Sequence, residues 1–297
     1  MHIGSPDKNF WSNKNVVVTG GCGFIGSALI EKLNHIGVKS ILSVDDYSSG
    51  ARDNEILGVN YLECHTAHIT EDVLQHSDLV FHLGEYSRVE ASFRDLDAIL
   101  QSNVKGTSNI FALWKKLNFK LIYAGSSTKF GDGGLGRHQS PYALSKSHNT
   151  ETVKSFIDWF GLKGAITYFY NVYGDGEISS GNFATVVAIF IDKFRKGEPL
   201  PVVKPGVQRR NFTHIDDIVD GLLLVGQYGH GDEYGIGADE SYSIEDLAKL
   251  ISENIIYLDE RPGNRLDARV VTSKLRALGW QPKHSLAKYV REQCKKR

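Results

Sequence analysis

Disulfide frameworks, membrane spans and one-sided charge are all missing from this sequence. The 297 residues hold three cysteines, Cys22, Cys64 and Cys294. They are odd in number, far apart and without a CxxC pair. That excludes a disulfide scaffold and a cysteine zinc site, and fits a reducing compartment. No metal site is expected. No apolar run approaches the ~18 residues of a membrane span. The opening segment MHIGSPDKNF lacks an apolar signal core. The expectation is a soluble, cytoplasmic protein with no membrane partner. Lys+Arg number 34 against 35 Asp+Glu, a formal charge of −1. Phosphate polymers call for a basic excess, so nucleic acid is not the expected partner. Repeats, charge blocks and low-complexity tracts are absent. A composition with 41% hydrophobic and 23% charged residues is that of a globular protein. The length suggests one large domain or two intimate ones.

Short β-rich runs alternate with helical patterns through the first half. Asn15–Thr19, Ser40–Val44, Val59–Leu62, Asp78–Leu83, Lys120–Ala124 and Ala165–Tyr170 read as strands. Between them, Phe24–Leu33, a stretch of about 96–117, and Pro141–Trp159 carry helical spacing. Such alternation implies βαβ units: an α/β fold with a doubly wound parallel sheet, its apolar strands buried on both faces. After about residue 174, glycine and proline become frequent and the strands shorter. That segment reads as a smaller, less regular lobe, with helical patterns at about 182–196, 216–226 and 243–254.

The first strand runs into Thr19-Gly20-Gly21-Cys22-Gly23-Phe24-Ile25-Gly26-Ser27, where Gly20, Gly23 and Gly26 are spaced by three. The first glycine permits a tight turn, the second lets a pyrophosphate approach the backbone, and the third lets the helix pack on the strand. The helix N-terminus favours the anionic phosphates. The next strand ends in Asp45-Asp46, about twenty residues on. A carboxylate there can accept from both ribose hydroxyls and would repel a 2′-phosphate, which favours NAD over NADP. Asp45 is the stronger candidate of the two.

Tyr142 and Lys146 are four apart, which places them on one helix face. A phenol with a pKa of about 10 is a poor base at neutral pH, but a nearby ammonium favours its phenolate. Tyr142 could then take a hydroxyl proton while the adjacent C–H gives hydride to NAD. Lys146 could also bond the nicotinamide ribose. The fifth strand ends at Ser126-Ser127-Thr128, where a serine could hydrogen-bond the same substrate oxygen, or cap the segment that follows. Ser126 is the choice for that role.

Together these residues resemble an extended short-chain dehydrogenase/reductase of the NAD-dependent nucleotide-sugar epimerase/dehydratase family. UDP-glucose 4-epimerases and their UDP-hexosamine relatives are the nearest type. The resemblance spans TGGCGFIGS at 19–27, FHLGEYSRVEAS at 81–92, NVKGTSNI at 103–110 and YAGSSTKFGD at 123–132. It continues through SPYALSK at 140–146, YNVYGDG at 170–176, RRNFTHIDDIVDG at 209–221, ERPGN at 260–264 and LGWQPKHSL at 278–286. It implies a Rossmann-type NAD-binding domain over 1–174 plus about 214–238. A nucleotide-sugar lobe would then occupy about 175–213 and 239–297. Gly20, Gly23, Phe24, Ile25, Gly26, Asp45, Asp46, Ile69, Leu83, Gly84, Asn103, Tyr142 and Lys146 would hold NAD. Ser126, Tyr142 and Lys146 would be catalytic. Glu85, Ser126, Ser127, Asn171 and Asn182 would meet the substrate, and Arg210 and Arg261 would clamp its diphosphate, UDP being favoured. A homodimer through a four-helix bundle is implied as well.

The sequence departs from the family pattern at several places. His68 stands where an aspartate contacts adenine, and Gly84-Glu85 replaces a pair of small residues. Glu85 reads as an extra acid/base, as a substrate contact, or as an outward loop residue. Phe130 replaces the usual tyrosine, Tyr168 the usual arginine, and the loop before Pro141 is short. A 4,6-dehydratase would be expected to carry an acidic pair after the catalytic serine, and a decarboxylase a glutamate; here Ser127 and Thr128 stand there. A 4-epimerase needs neither and is the expected activity. The dehydratase is the alternative, and a non-catalytic binding protein a more distant one.

Overall fold

The computed structural model describes residues 6–260 and 269–296. Seven parallel strands form the central sheet: β1 Asn15–Thr19, β2 Ser40–Asp45, β3 Asn60–Glu63, β4 Leu79–His82, β5 Lys120–Ser126, β6 Gly164–Phe169 and β7 Gly231–Ile236. Their spatial order is β3-β2-β1-β4-β5-β6-β7. The order reverses between β1 and β4, so the crevice beyond their carboxyl ends is where such sheets collect ligands.

Strand periodicity explains why both faces are covered. In β1, Val16 and Val18 face one core and Val17 faces the other. Leu79 and Phe81 against Val80 repeat the division in β4, as does Ile122 against Leu121 and Tyr123 in β5. Successive side chains of a strand point to opposite faces, so an unbroken apolar run demands two covering layers. Helices α1 (Phe24–Ile36) and α5 (Ile215–Tyr228) cover the first face; α2 (Thr107–Leu117) and α3 (Pro141–Phe160) cover the second. A third core joins α4 (Val186–Arg195), α6 (Ile244–Ile251) and α7 (Leu286–Lys295) to the short parallel pair Leu200–Val203 and Ile255–Leu258.

Two features differ from the sequence expectation. The helical stretch 96–117 is not uniform: Leu100–Gly106 winds as a π-helix before α2. Such widened turns concentrate at functional sites, and this one carries the fully buried Asn103. β7 was not among the strands read individually. It is an edge strand whose first residues, Gly231-Asp232-Glu233, are only partly buried or exposed, so it lacks the continuous apolar signature of its neighbours.

The segment 280–284 is tied to the sheet's covering layer through Asp217, near the start of α5. Its buried carboxylate accepts from the backbone N–H groups of Lys283 (3.0 Å) and His284 (3.2 Å), and its carbonyl accepts from Trp280 Nε1 (2.9 Å). Nearby, among the described residues, His214, Asp216 and His284 place ligand-type atoms within 4.8 Å of one another. The two imidazoles stack at 4.1 Å with 18° between planes.

Candidate active site

The carboxyl ends of β1, β2, β4 and β5 open into one cavity of ≈ 890 Å³. Gly20 turns there with φ 72°, and a Cβ on it would lie 2.7 Å from Gly84 N. A Cβ on Gly26 would fall 2.0 Å from Gly20 O, so the helix can lie against the strand only with glycine. Gly23 caps α1 without any side-chain hydrogen bond, leaving the first-turn N–H groups without a side-chain acceptor. That is a cradle for anionic phosphate oxygens. Asp45 closes β2, with its carboxylate accepting from Cys22 N (2.8 Å) and Tyr47 N (2.8 Å). Burial raises its pKa and outweighs those two backbone donors.

On the opposite wall, Pro141 opens α3 and Ser140 caps it, accepting from Ala143 N at 3.0 Å. The rigid start fixes Tyr142 and Lys146 one turn apart, and both line the cavity. Ser126 lines it from the end of β5. Its hydroxyl also accepts from Thr128 Oγ1 (2.9 Å) and caps the following turn, so the two readings of this serine coexist.

Glu85 turns inward. Its carboxylate is 1% exposed and forms an ion pair with Lys146, itself 6% exposed. The other oxygen accepts from Thr107 Oγ1 (2.8 Å), Asn149 Nδ2 (2.9 Å) and Tyr123 OH (3.2 Å). The outward-loop reading of Glu85 is therefore wrong: its carboxylate is held by protein donors at the cavity wall. Behind it lies a directed chain. Thr107 donates to Glu85, so His82 Nε2 donates to Thr107 (3.0 Å) and His82 Nδ1 accepts from Thr19 Oγ1 (2.7 Å). Burial pushes the His82 pKa down to about 4, which keeps the ring neutral in this chain. Lys146 also donates to the Ala124 carbonyl at 2.7 Å, so one of its three N–H donors is left for a ligand.

Asn171, just after β6, and Arg210 line the cavity, as do Asp46, Leu83, Gly84, Glu85 and Ser127. Three expected contacts lie elsewhere. Ile69 is a core residue of the second face. Asn103 is sealed behind the wall, bonded to both backbone groups of Tyr86 and to Ser145 Oγ at 3.1 Å. Asn182 is exposed and outside the lining. Arg261 lies outside the described residues.

Among the ionisable groups in the wall that escaped the sequence reading are Glu177 and Arg88. Glu177 accepts from Gly174 N (3.0 Å), and burial pushes its pKa up to about 7. Arg88 lines the cavity beside Phe183. Glu177 directly follows the YNVYGDG motif, which was the available signal; Arg88 sits inside a quoted motif with nothing to single it out.

The family described as NAD dependent epimerase/dehydratase matches residues 16–237. The chain belongs to this family. Its NAD dependence agrees with the glycine cradle, the open helix N-terminus and Asp45 described above. The structure of UDP-glucose 4-epimerase from Thermotoga maritima with UDP-glucose is 26% identical, covers 95% of this chain and 97% of that one, with a TM-score of 0.87. UDP-N-acetylglucosamine 4-epimerase from Methanobrevibacter ruminantium, in complex with UDP-N-acetylmuramic acid, is 26% identical over 96% and 98% of the chains, with a TM-score of 0.86. UDP-glucuronic acid decarboxylase 5 of Arabidopsis thaliana is 28% identical over 93% of this chain and 86% of its own length. Similar family members thus include both epimerases and decarboxylases. No helix among the described residues is long and apolar enough to cross a membrane.

Proposed function

We propose that this family member is a nucleotide-sugar 4-epimerase acting through a transient 4-keto sugar. The observation that carries the reading is the convergence of Ser126, Tyr142 and Lys146 on the glycine-loop cavity, with no acidic pair after Ser126. The two epimerase structures described above support it.

Gly20, Gly23 and the first turn of α1 would hold the NAD pyrophosphate, and Asp45 the adenosine ribose. When bound, NAD supplies a hydride acceptor and donor at C4 of the sugar. Tyr142 would take the C4 hydroxyl proton and Ser126 would hold the same oxygen. Lys146, fixed by Glu85 and the Ala124 carbonyl, keeps one donor for the nicotinamide ribose. Asn171 and Arg210 would retain the nucleotide diphosphate, UDP being favoured, while the keto sugar turns its other face. Inversion at C4 asks for no further acid, which suits Ser127 and Thr128.

One observation keeps the 4,6-dehydratase as a second reading: Glu177 offers the cavity a carboxyl whose pKa is about 7. That enzyme needs an acid and a base together, and Glu177 is one group. In this proposal the sheet and its two layers form the cofactor domain, and the third core forms the sugar lobe. Leu96, Leu100 and Val104, with Leu144 on α3, leave an exposed apolar strip that suits a homodimer.

The test mixes purified protein with a panel of UDP-sugars and follows absorbance near 340 nm. A transient nicotinamide reduction signal that disappears in Tyr142→Phe is expected. Equal behaviour of the two proteins overturns the reading.

A further inference from the structure

Glu85 and Lys146 bring a full charge pair to the cavity wall. The carboxylate is 1% exposed and the ammonium 6%. Both residues line the cavity, together with Leu83, Gly84, Ser126 and Tyr142. Three elements hold the pair in place. Lys146 donates to the Ala124 carbonyl of β5, and Glu85 accepts from Thr107 of α2 and Asn149 of α3. Among the described residues, the other donors to the carboxylate (Thr107, Asn149 and the Tyr123 phenol) are neutral. The charge that Glu85 answers is therefore that of Lys146.

Two contacts place the pair along the path of the dinucleotide. Glu85 directly follows Gly84, and a Cβ on Gly20 would come within 2.7 Å of Gly84 N, so the carboxylate's own backbone adjoins the glycine loop. Lys146 stands one helical turn from Tyr142, which would take the hydroxyl proton from the carbon that loses hydride. The nicotinamide end of NAD would lie between these two points, against Lys146. Its ring is positively charged when oxidised and neutral when reduced. A lone ammonium there would repel the oxidised form and so favour the reduced one, whereas an ammonium paired with a carboxylate repels it far less.

We propose that Glu85 sets the balance between bound NAD+ and bound NADH by offsetting the Lys146 charge at the nicotinamide. This deepens the proposed reaction and rests on its placement of Lys146 at the nicotinamide ribose. The balance matters because the hydride has to be given back. In the first step the C4–H bond breaks, its electron pair leaves with the hydrogen as hydride for NAD, and the C4 hydroxyl proton passes to Tyr142. The return step reverses both transfers. A site that favoured the reduced form too strongly would keep the hydride and strand the keto sugar. Glu85 lets Lys146 serve as a donor without that bias.

The test needs no sugar and no turnover. Full-length protein is equilibrated with mixtures of NAD+ and NADH, and the bound share of each is read by NADH fluorescence. Glu85→Gln is expected to move the affinity ratio roughly 10-fold toward NADH, as the loss of one charge at low effective dielectric allows. Glu85→Asp, which keeps the charge, should keep most of the parent ratio. A Glu85→Gln ratio within about 2-fold of the parent overturns the proposal. So does an equal weakening of both forms, which a merely structural role would give. Where Glu85→Gln does not fold, Lys146→Met is compared with the double variant that lacks both charges. Lys146→Met keeps the carboxylate and should prefer NAD+ by roughly 10-fold more than the double variant does; equal ratios overturn the proposal. The two readings fail separately. Loss of the epimerase reading shows as no Tyr142-dependent signal with UDP-sugars, while the cofactor ratio still moves with Glu85. Loss of the Glu85 role leaves that signal in place while the ratio stands still.

Discussion

Removing the Glu85 carboxylate should destabilise the protein before any substrate is present. The pair is buried on both sides, 6% exposed at Lys146 and 1% at Glu85. Glu85→Gln leaves an ammonium without its counter-charge and turns an amide toward it. Breaking one side of a buried pair costs about 3–5 kcal/mol. At about 2.1 cal/mol/K of unfolding entropy per residue, a chain of 297 residues loses roughly 1.6 °C per kcal/mol. The melting temperature should therefore fall by about 5–8 °C. Lys146→Met should cost less, because the carboxylate keeps Thr107, Asn149 and Tyr123 as donors. The double variant removes both charges, and its cost should fall short of the sum by about 2–3 kcal/mol. Thermal and urea unfolding of the four proteins, without NAD, closes the cycle. Additivity within about 0.5 kcal/mol would refute the pair as an energetic unit. A Glu85→Gln melting point within about 2 °C of the parent would refute the inward carboxylate itself.

Other consequences follow from the same geometry. Glu177 has a folded pKa of about 7, above its ordinary value of 4.5, so the folded state binds the extra proton between those pH values. Stability from this group is full below pH 4.5 and is lost as pH rises through 7, amounting to about 3 kcal/mol. Glu177→Gln should be indistinguishable from the parent near pH 4 and more stable at pH 8; equal urea midpoints at pH 8 would contradict this. Gly26→Ala puts a methyl 2.0 Å from Gly20 O, so NAD binding measured by calorimetry should be lost or fall by more than 10-fold, against an unchanged affinity if the close packing is wrong. Asp45→Ser should narrow the preference for NAD over NADP in direct binding, and an unchanged ratio would remove Asp45 from the ribose contact. Leu100→Glu with Leu144→Glu should yield a monomer by light scattering if the apolar strip is a dimer face; an unchanged mass, dimeric in both proteins, would discard that face.

The layered fold was legible because the physics of a two-sided parallel sheet is written locally. Val16, Val17 and Val18 need two cores, and no other arrangement of a short apolar run between helices supplies them as simply. The glycine loop was legible for a related reason: Gly26 answers to Gly20 within the same strand-to-helix turn, although Gly20 itself answers to Gly84 beyond β4. Glu85 was not. Its orientation depends on Thr107 from α2, Asn149 and Lys146 from α3, and Tyr123 from β5, which no spacing along the chain brings together. Asn103 was expected among the NAD contacts, but its bonds to Tyr86 and Ser145 bury it behind the cavity wall.

In the proposed reaction, inversion at C4 uses a single hydride that leaves and returns to the same carbon. The most direct measurement incubates the protein with UDP-sugars deuterated at C4 and reads the products by NMR. The account predicts the C4 epimer with deuterium still at C4 and no product from Tyr142→Phe. Deuterium at C6 of a 4-keto-6-deoxy sugar would contradict it and assign the dehydratase reaction instead.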